Sequence, residues 1–117
     1  MGVDVDLYIN TCGDNIYNQV FDSSGVLIQQ WIEREFPHVS KHATSTKLVL
    51  KKEELISLRD DVAYVVKYHY KKLLLFSDSK RISSSDFEFC LIGINTFLKE
   101  FEKYENDNLE IIYEYSC

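Results

Sequence analysis

The sequence predicts an α+β protein: a small sheet made from strands near the two chain ends, with about three helices between them packed on one of its faces. Three observations carry this. The opening "MGVDVDLYIN" alternates without error, Val3, Val5, Leu7 and Ile9 against Asp4, Asp6, Tyr8 and Asn10. The closing "LEIIYEY" (109–115) alternates in the same way, which is the period of a strand with one wet face. Between them, residues 51–70 and 86–104 repeat apolar side chains every three or four positions, the spacing of an amphipathic helix. Chain ends commonly lie close together, so the two terminal strands are expected to be neighbours.

Taken in order, residues 3–10 form the first strand and "TCGDN" (11–15) a turn, with Gly13 and Asp14 as the residues suited to unusual backbone angles. "IYNQVF" (16–21) then returns as a second strand of a hairpin. "DSSG" (22–25) supports two readings, a helix start capped by Asp22 or Ser23 or the turn of another hairpin. The polar run Gln29–Gln30 and Glu33–Arg34–Glu35 between apolar positions favours a helix, stopped at Phe36 because Pro37 comes next. Residues 37–46 read as loop and 47–50 as a short strand. Helix 51–70 buries Leu55, Leu58, Val62 and Val65, with His69 in the same row. "LLLF" (73–76) is too short to assign, and 77–85 is a serine-rich loop. Ser85 and Glu88 form a capping box for the third helix, which buries Phe87, Leu91, Ile94, Phe97 or Leu98, and Phe101. Gly93 inside that helix costs about 1 kcal/mol relative to alanine and points to close approach of another backbone.

With 117 residues, 45% hydrophobic residues, four glycines and one proline, the chain fits a single domain over 1–117 with no case for disorder. No apolar run approaches the ~18 residues of a membrane span. No basic stretch followed by an apolar run opens the chain, so the expectation is a cytoplasmic protein without a secretory signal. Cys12, Cys90 and Cys117 form no CxxC pair and read as reduced thiols. The net charge of −6 is segregated. Residues 1–36 carry six acids and one base, 37–85 five acids and ten bases, and 86–117 eight acids and two bases. An acidic protein with a basic middle is not a general nucleic-acid binder. Segregated charge also allows self-association into a homodimer.

No catalytic motif is present. There is no GxSxG, no phosphate-binding glycine loop and no nucleophilic cysteine context. His38 and His42 are four apart but sit in a loop without the glutamate or third ligand of a zinc site, so no metal and no cofactor is expected. If the terminal strands pair, Asp4, Asp6, Glu110 and Glu114 share one face. That face is at minimum a solvated strand surface, and its functional reading is a docking patch for a basic partner, extended by Glu100, Glu102 and Glu105 of the third helix. The alternative ligand-binding segment is 67–81, which opens "KYHYKKLLLF". There Lys67, Lys71, Lys72, Lys80 and Arg81 accompany Tyr68 and Tyr70, the basic and stacking chemistry of single-stranded nucleic-acid or nucleotide binding.

The stretches "MGVDVDLY", "LIQQWIEREF", "KEEL" and "IIYEYSC" together resemble a group of small uncharacterised phage and prophage proteins that open Met-Gly-x-Asp-x-x-Leu-Tyr. The Tyr-Trp-Arg-Lys stretch expected before the first helix of that group is missing here. The resemblance carries no catalytic residues. It implies a non-enzymatic accessory protein that inhibits or modulates a host protein complex, for example a nucleic-acid-handling defence system.

Overall fold

In a computed structural model, which describes residues 4–21, 25–39, 45–68, 84–104 and 108–116, the chain runs β1 (Asp4–Thr11), β2 (Asp14–Phe21), α1 (Gly25–Glu35), β3 (Ser45–Leu50), α2 (Lys52–Tyr68), α3 (Ser84–Glu102) and β4 (Leu109–Ser116). The four strands form one antiparallel sheet in the order β2-β1-β4-β3. The terminal strands are therefore the central pair, in register along their whole length from Asp4 opposite Ser116 to Thr11 opposite Leu109. This is the α+β arrangement that the alternating ends predict.

β1 and β2 are joined by Cys12 and Gly13, whose φ angles are 52° and 88°. Two consecutive positive φ values are those of a type I′ turn, whose twist matches that of the strands it connects. The residues bearing the unusual geometry are thus Cys12 and Gly13, not Gly13 and Asp14. A cysteine has a Cβ and lacks the local hydrogen bonding that lets asparagine tolerate this region. Cys12→Asn is expected to raise stability by about 0.5–1 kcal/mol, read as a higher urea midpoint with an unchanged slope.

Pairing along the hairpin slips once. Asn10 faces Asn15 but Ile9 faces Tyr17, which leaves Ile16 as the extra residue of a β-bulge. The slip keeps Asn15 on the same face as Asn18 and turns Tyr17, Gln19 and Phe21 toward the core.

The stretch after β2 is helix, not a second hairpin. α1 makes its last turn through Phe36 N–H bonded to the Ile32 carbonyl at 2.9 Å, immediately before Pro37. α2 starts with the Lys51 N–H donating to the Glu54 side chain at 2.8 Å, half of a capping box. Glu53 and Glu54 in its first turn and Lys67 in its last complement the helix dipole. α3 begins at Ser84, so Ser85 lies within its first turn and not at its cap.

Val5, Leu7, Ile9, Phe21, Leu50, Ile111 and Tyr113 from the inner face of the sheet are buried together with Leu27, Ile28 and Trp31 of α1, Leu55 and Leu58 of α2, and Phe87, Ile94 and Phe97 of α3. Two polar ties, one buried and one part-buried, fix α1. The Tyr113 hydroxyl donates to Gln29 Oε1, and the Trp31 indole N–H donates to Asp61 of α2 at 2.7 Å. Burial and nearby Tyr115 and Glu33 hold the Tyr113 hydroxyl well above the usual phenol range. Burial likewise pushes the Cys90 thiol up to about 12, as befits an unreactive core cysteine.

The close approach expected at Gly93 is made by a side chain: a Cβ there would meet the ring of Phe21, with Cζ at 3.1 Å and Cδ2 at 3.2 Å. Gly25 plays the same part for α1, where a Cβ would lie 2.7 Å from Cγ2 of Val5. Among the described residues no helix is long and apolar enough to cross a membrane.

Candidate partner-binding face

Because all three helices pack on the Val5–Leu7–Ile9 side, the other face of the sheet is left without a described helix over it. Strand alternation fills it in rows. One row runs Val20, Asp6, Glu114, Lys47 across β2, β1, β4 and β3, and the next runs Asn18, Tyr8, Ile112, Val49. Beyond these, Asp4 lies beside Ser116, and Asn15, Asn10 and Glu110 make a further row. The structure thus brings Asp4, Asp6, Glu110 and Glu114 to one face, as expected from the sequence. Val20 and Val49 are 53% and 60% exposed at its two edges.

Asp6 and Glu114 are directly opposite each other and half-buried. Burial raises the Asp6 carboxyl pKa, and the charges of Glu114 and Asp4 push the same way, against a hydrogen bond from Asn18. Tyr8 is held above the usual phenol range by burial first and by the charges of Asp6 and Glu114 second, and its hydroxyl donates to Glu114. Like charges directly opposite in a sheet destabilise it, by about 0.2–1 kcal/mol. The penalty exists only while both groups are ionised. A raised folded-state pKa means that ionisation costs stability above that pKa, and the cost disappears as pH falls below it. Asp6→Asn is therefore expected to stabilise the fold by about 0.2–1 kcal/mol at neutral pH. The gain should fade in acid as the native Asp6 protonates above its ordinary 3.8. Urea melts of both proteins across pH check this.

Beside the acidic pair is a concavity of about 180 Å³ walled by Tyr8, Asn10, Asn15, Lys47, Ile112 and Glu114. Asn10 is buried and its amide donates to Asn15 at 2.8 Å. Carboxylates, a phenol and amide oxygens make this face predominantly a hydrogen-bond acceptor surface, suited to cationic donors. Lys47 is the single cation in these rows among the described residues. It was not part of the sequence-derived site, because only the β3–β4 register puts it opposite Glu114.

The helical acids lie elsewhere. Glu100 accepts from Lys103 at 3.0 Å and lies near Tyr17, on the core side of the sheet, while Glu102 sits 3.7 Å from Lys52. They are locally compensated and not continuous with the strand acids. Glu105 lies outside the described residues. Of the alternative basic-aromatic segment only Lys67 and Tyr68 are described. Tyr68 packs on Tyr64 with ring centroids 4.7 Å apart, and the Lys67 ammonium lies 5.3 Å from the Tyr68 ring centre. Tyr70, Lys71, Lys72, Lys80 and Arg81 lie outside the described residues, as do His42 and His69. His38 packs edge-on against Phe36 at 6.0 Å.

Comparison with protein-family models, with curated proteins and with solved structures found no match to the chain.

Proposed function

We propose that the chain is a non-enzymatic binding protein that docks a basic surface of another protein on its open sheet face. The observation that carries this is the Asp6–Glu114 pair. Two half-buried carboxylates sit directly opposite each other and repel, although any neutral polar residue would keep that face wet. A partner that supplies lysine or arginine there turns the repulsion into attraction and gains most from the places where the free protein is strained. The Tyr8–Ile112–Val49 row between acidic positions adds apolar contact area, so the matching partner surface is a basic rim around apolar side chains. A second copy meeting the first face to face is disfavoured, since among the described residues each face carries four acids against Lys47 alone. The resemblance to phage-type proteins directs the search for the target to host proteins, beginning with nucleic-acid-handling defence complexes.

The test is calorimetric titration with a short arginine- and lysine-rich peptide at about 50 mM and about 300 mM salt, since screening lengths shorten from roughly 14 to 6 Å over that range. The proposal requires affinity that falls steeply with salt. Equal affinity at both salts contradicts it.

A second reading rests on the exposed Tyr64–Tyr68 pair with Lys67 beside it, a stacking platform at the end of α2. It places a single-stranded nucleic acid or nucleotide there. A mobility shift with short single strands, lost in Tyr68→Ala and kept in Asp6→Asn, would favour it over the acidic face.

A further inference from the structure

β2 and β3 are the two edges of the sheet, and they are built differently. β3 carries Lys47 and is followed by Lys51 and Lys52, the cationic protection usual on an exposed edge. β2 has a bulge near its turn, but from Asn15 to Phe21 it contains no charged residue and no proline. Among the described residues no backbone group of β2 bonds to another backbone group beyond its ladder with β1. The stretch from Tyr17 to Phe21 is therefore a regular, uncharged edge that no described strand covers. Val20 stands 53% exposed in it.

The direction of its free hydrogen-bonding groups is set by the turn. In a two-residue hairpin the residues flanking the turn, Thr11 and Asp14, exchange backbone hydrogen bonds, and pairs alternate from there. After the bulge, Ile9–Tyr17, Leu7–Gln19 and Val5–Phe21 are the bonded pairs. Asn18 and Val20 then direct their N–H and carbonyl groups outward, away from β1.

We propose that β2 pairs antiparallel with β2 of a second copy about a two-fold axis at Gln19, joining the two sheets edge to edge. Centred there, Val20 of each chain exchanges two backbone hydrogen bonds with Asn18 of the other, four in all. Tyr17 comes opposite Phe21 of the second copy on the core side, a cross-strand aromatic pair, and Gln19 meets its own equivalent. No like charges are brought together at the seam. The neutrality of this edge also selects the occupant. A partner chosen by charge has nothing to read on β2, whereas an isologous contact needs only a self-complementary strand. The same pairing about a two-fold on β3 would bring lysines into the seam. In the β2 dimer the two acidic faces lie on the same side, with the Asp6 side chains three strand spacings apart, roughly 14 Å. That exceeds the ~8 Å screening length at physiological salt, so the acids do not oppose association.

Sedimentation equilibrium of the full chain between about 10 µM and about 1 mM tests this. The expected result is a reversible monomer–dimer equilibrium with little dependence on salt. Val20→Pro removes an outward N–H from each chain, and so two of the four bonds, without touching the β1 ladder. It should weaken the dimer by about 30-fold at ~1 kcal/mol per bond. Val20→Lys, a substitution at an exposed side chain, should weaken it too, and more so at low salt, while Val49→Lys on the opposite edge should leave it unchanged. A chain monomeric throughout that range overturns the proposal. So does a dimer unaffected by either substitution at Val20, or one lost in Val49→Lys.

Discussion

Reversing Asp4, Asp6, Glu110 and Glu114 to lysine together should weaken binding of a basic partner by about 5- to 1,000-fold. Exposed ion pairs contribute about 0.2–1 kcal/mol each, so four lost together amount to about 1–4 kcal/mol, before the new like-charge repulsion is counted. The fold should tolerate the change. Lysines at 6 and 114 repel across the strand pair much as the native carboxylates do, and none of the four side chains belongs to the buried core. Two controls give the prediction its edge. Lys47→Glu removes the single described cation of the face and should tighten binding of the same partner. Reversal of Glu100 and Glu102, which bond to Lys103 and Lys52 off this face, should leave affinity where it was. Calorimetric affinities at one fixed ionic strength, with circular dichroism to confirm folding, decide it.

Gly93→Ala should destabilise the protein by about 1–3 kcal/mol, the usual cost of forcing an extra methyl group into a filled core. In an exposed helix the same substitution would gain about 1 kcal/mol. The sign is set by Phe21, 3% exposed, whose ring occupies the space the methyl group needs. In a Phe21→Leu background the ring is gone, and Gly93→Ala should become neutral or stabilising. Such a change of sign is the coupling a double-mutant cycle isolates. If Gly93→Ala is equally costly with leucine at 21, the contact between α3 and β2 is not what demands glycine there.

The same two sites show what was legible in the sequence and what was not. Alternation in 3–10 and 109–115 marks two strands and their wet faces because the period of a strand is local. That the strands are neighbours came from the general proximity of chain ends. The register that sets Asp6 against Glu114, and Lys47 beyond it, depends on pairing between distant segments. No local pattern encodes that register. The bulge at Ile16 is similarly hidden, since Ile16–Tyr17 and Val20–Phe21 offer apolar residues of both phases. The partner of Trp31, Asp61, is on another helix, and Gln29 reads as part of a polar run until Tyr113 of β4 is seen to bond it. Charge alone groups the helical acids Glu100 and Glu102 with the strand acids, and three-dimensional placement separates them. Gly93 was legible as a point of close approach, while the ring that approaches it was not.

The central claim is that the open sheet face, and no other surface, receives a basic partner. Amide chemical-shift mapping of the ¹⁵N-labelled chain titrated with an arginine- and lysine-rich peptide tests it residue by residue. The account predicts that the largest changes fall on β1, β4 and Lys47, centred on Asp6, Tyr8 and Glu114, and that they vanish in the chain with Asp4, Asp6, Glu110 and Glu114 reversed. Changes centred instead on the end of α2 around Tyr64 and Tyr68, or on Glu100 and Glu102 of α3, or no saturable change at all, would contradict it.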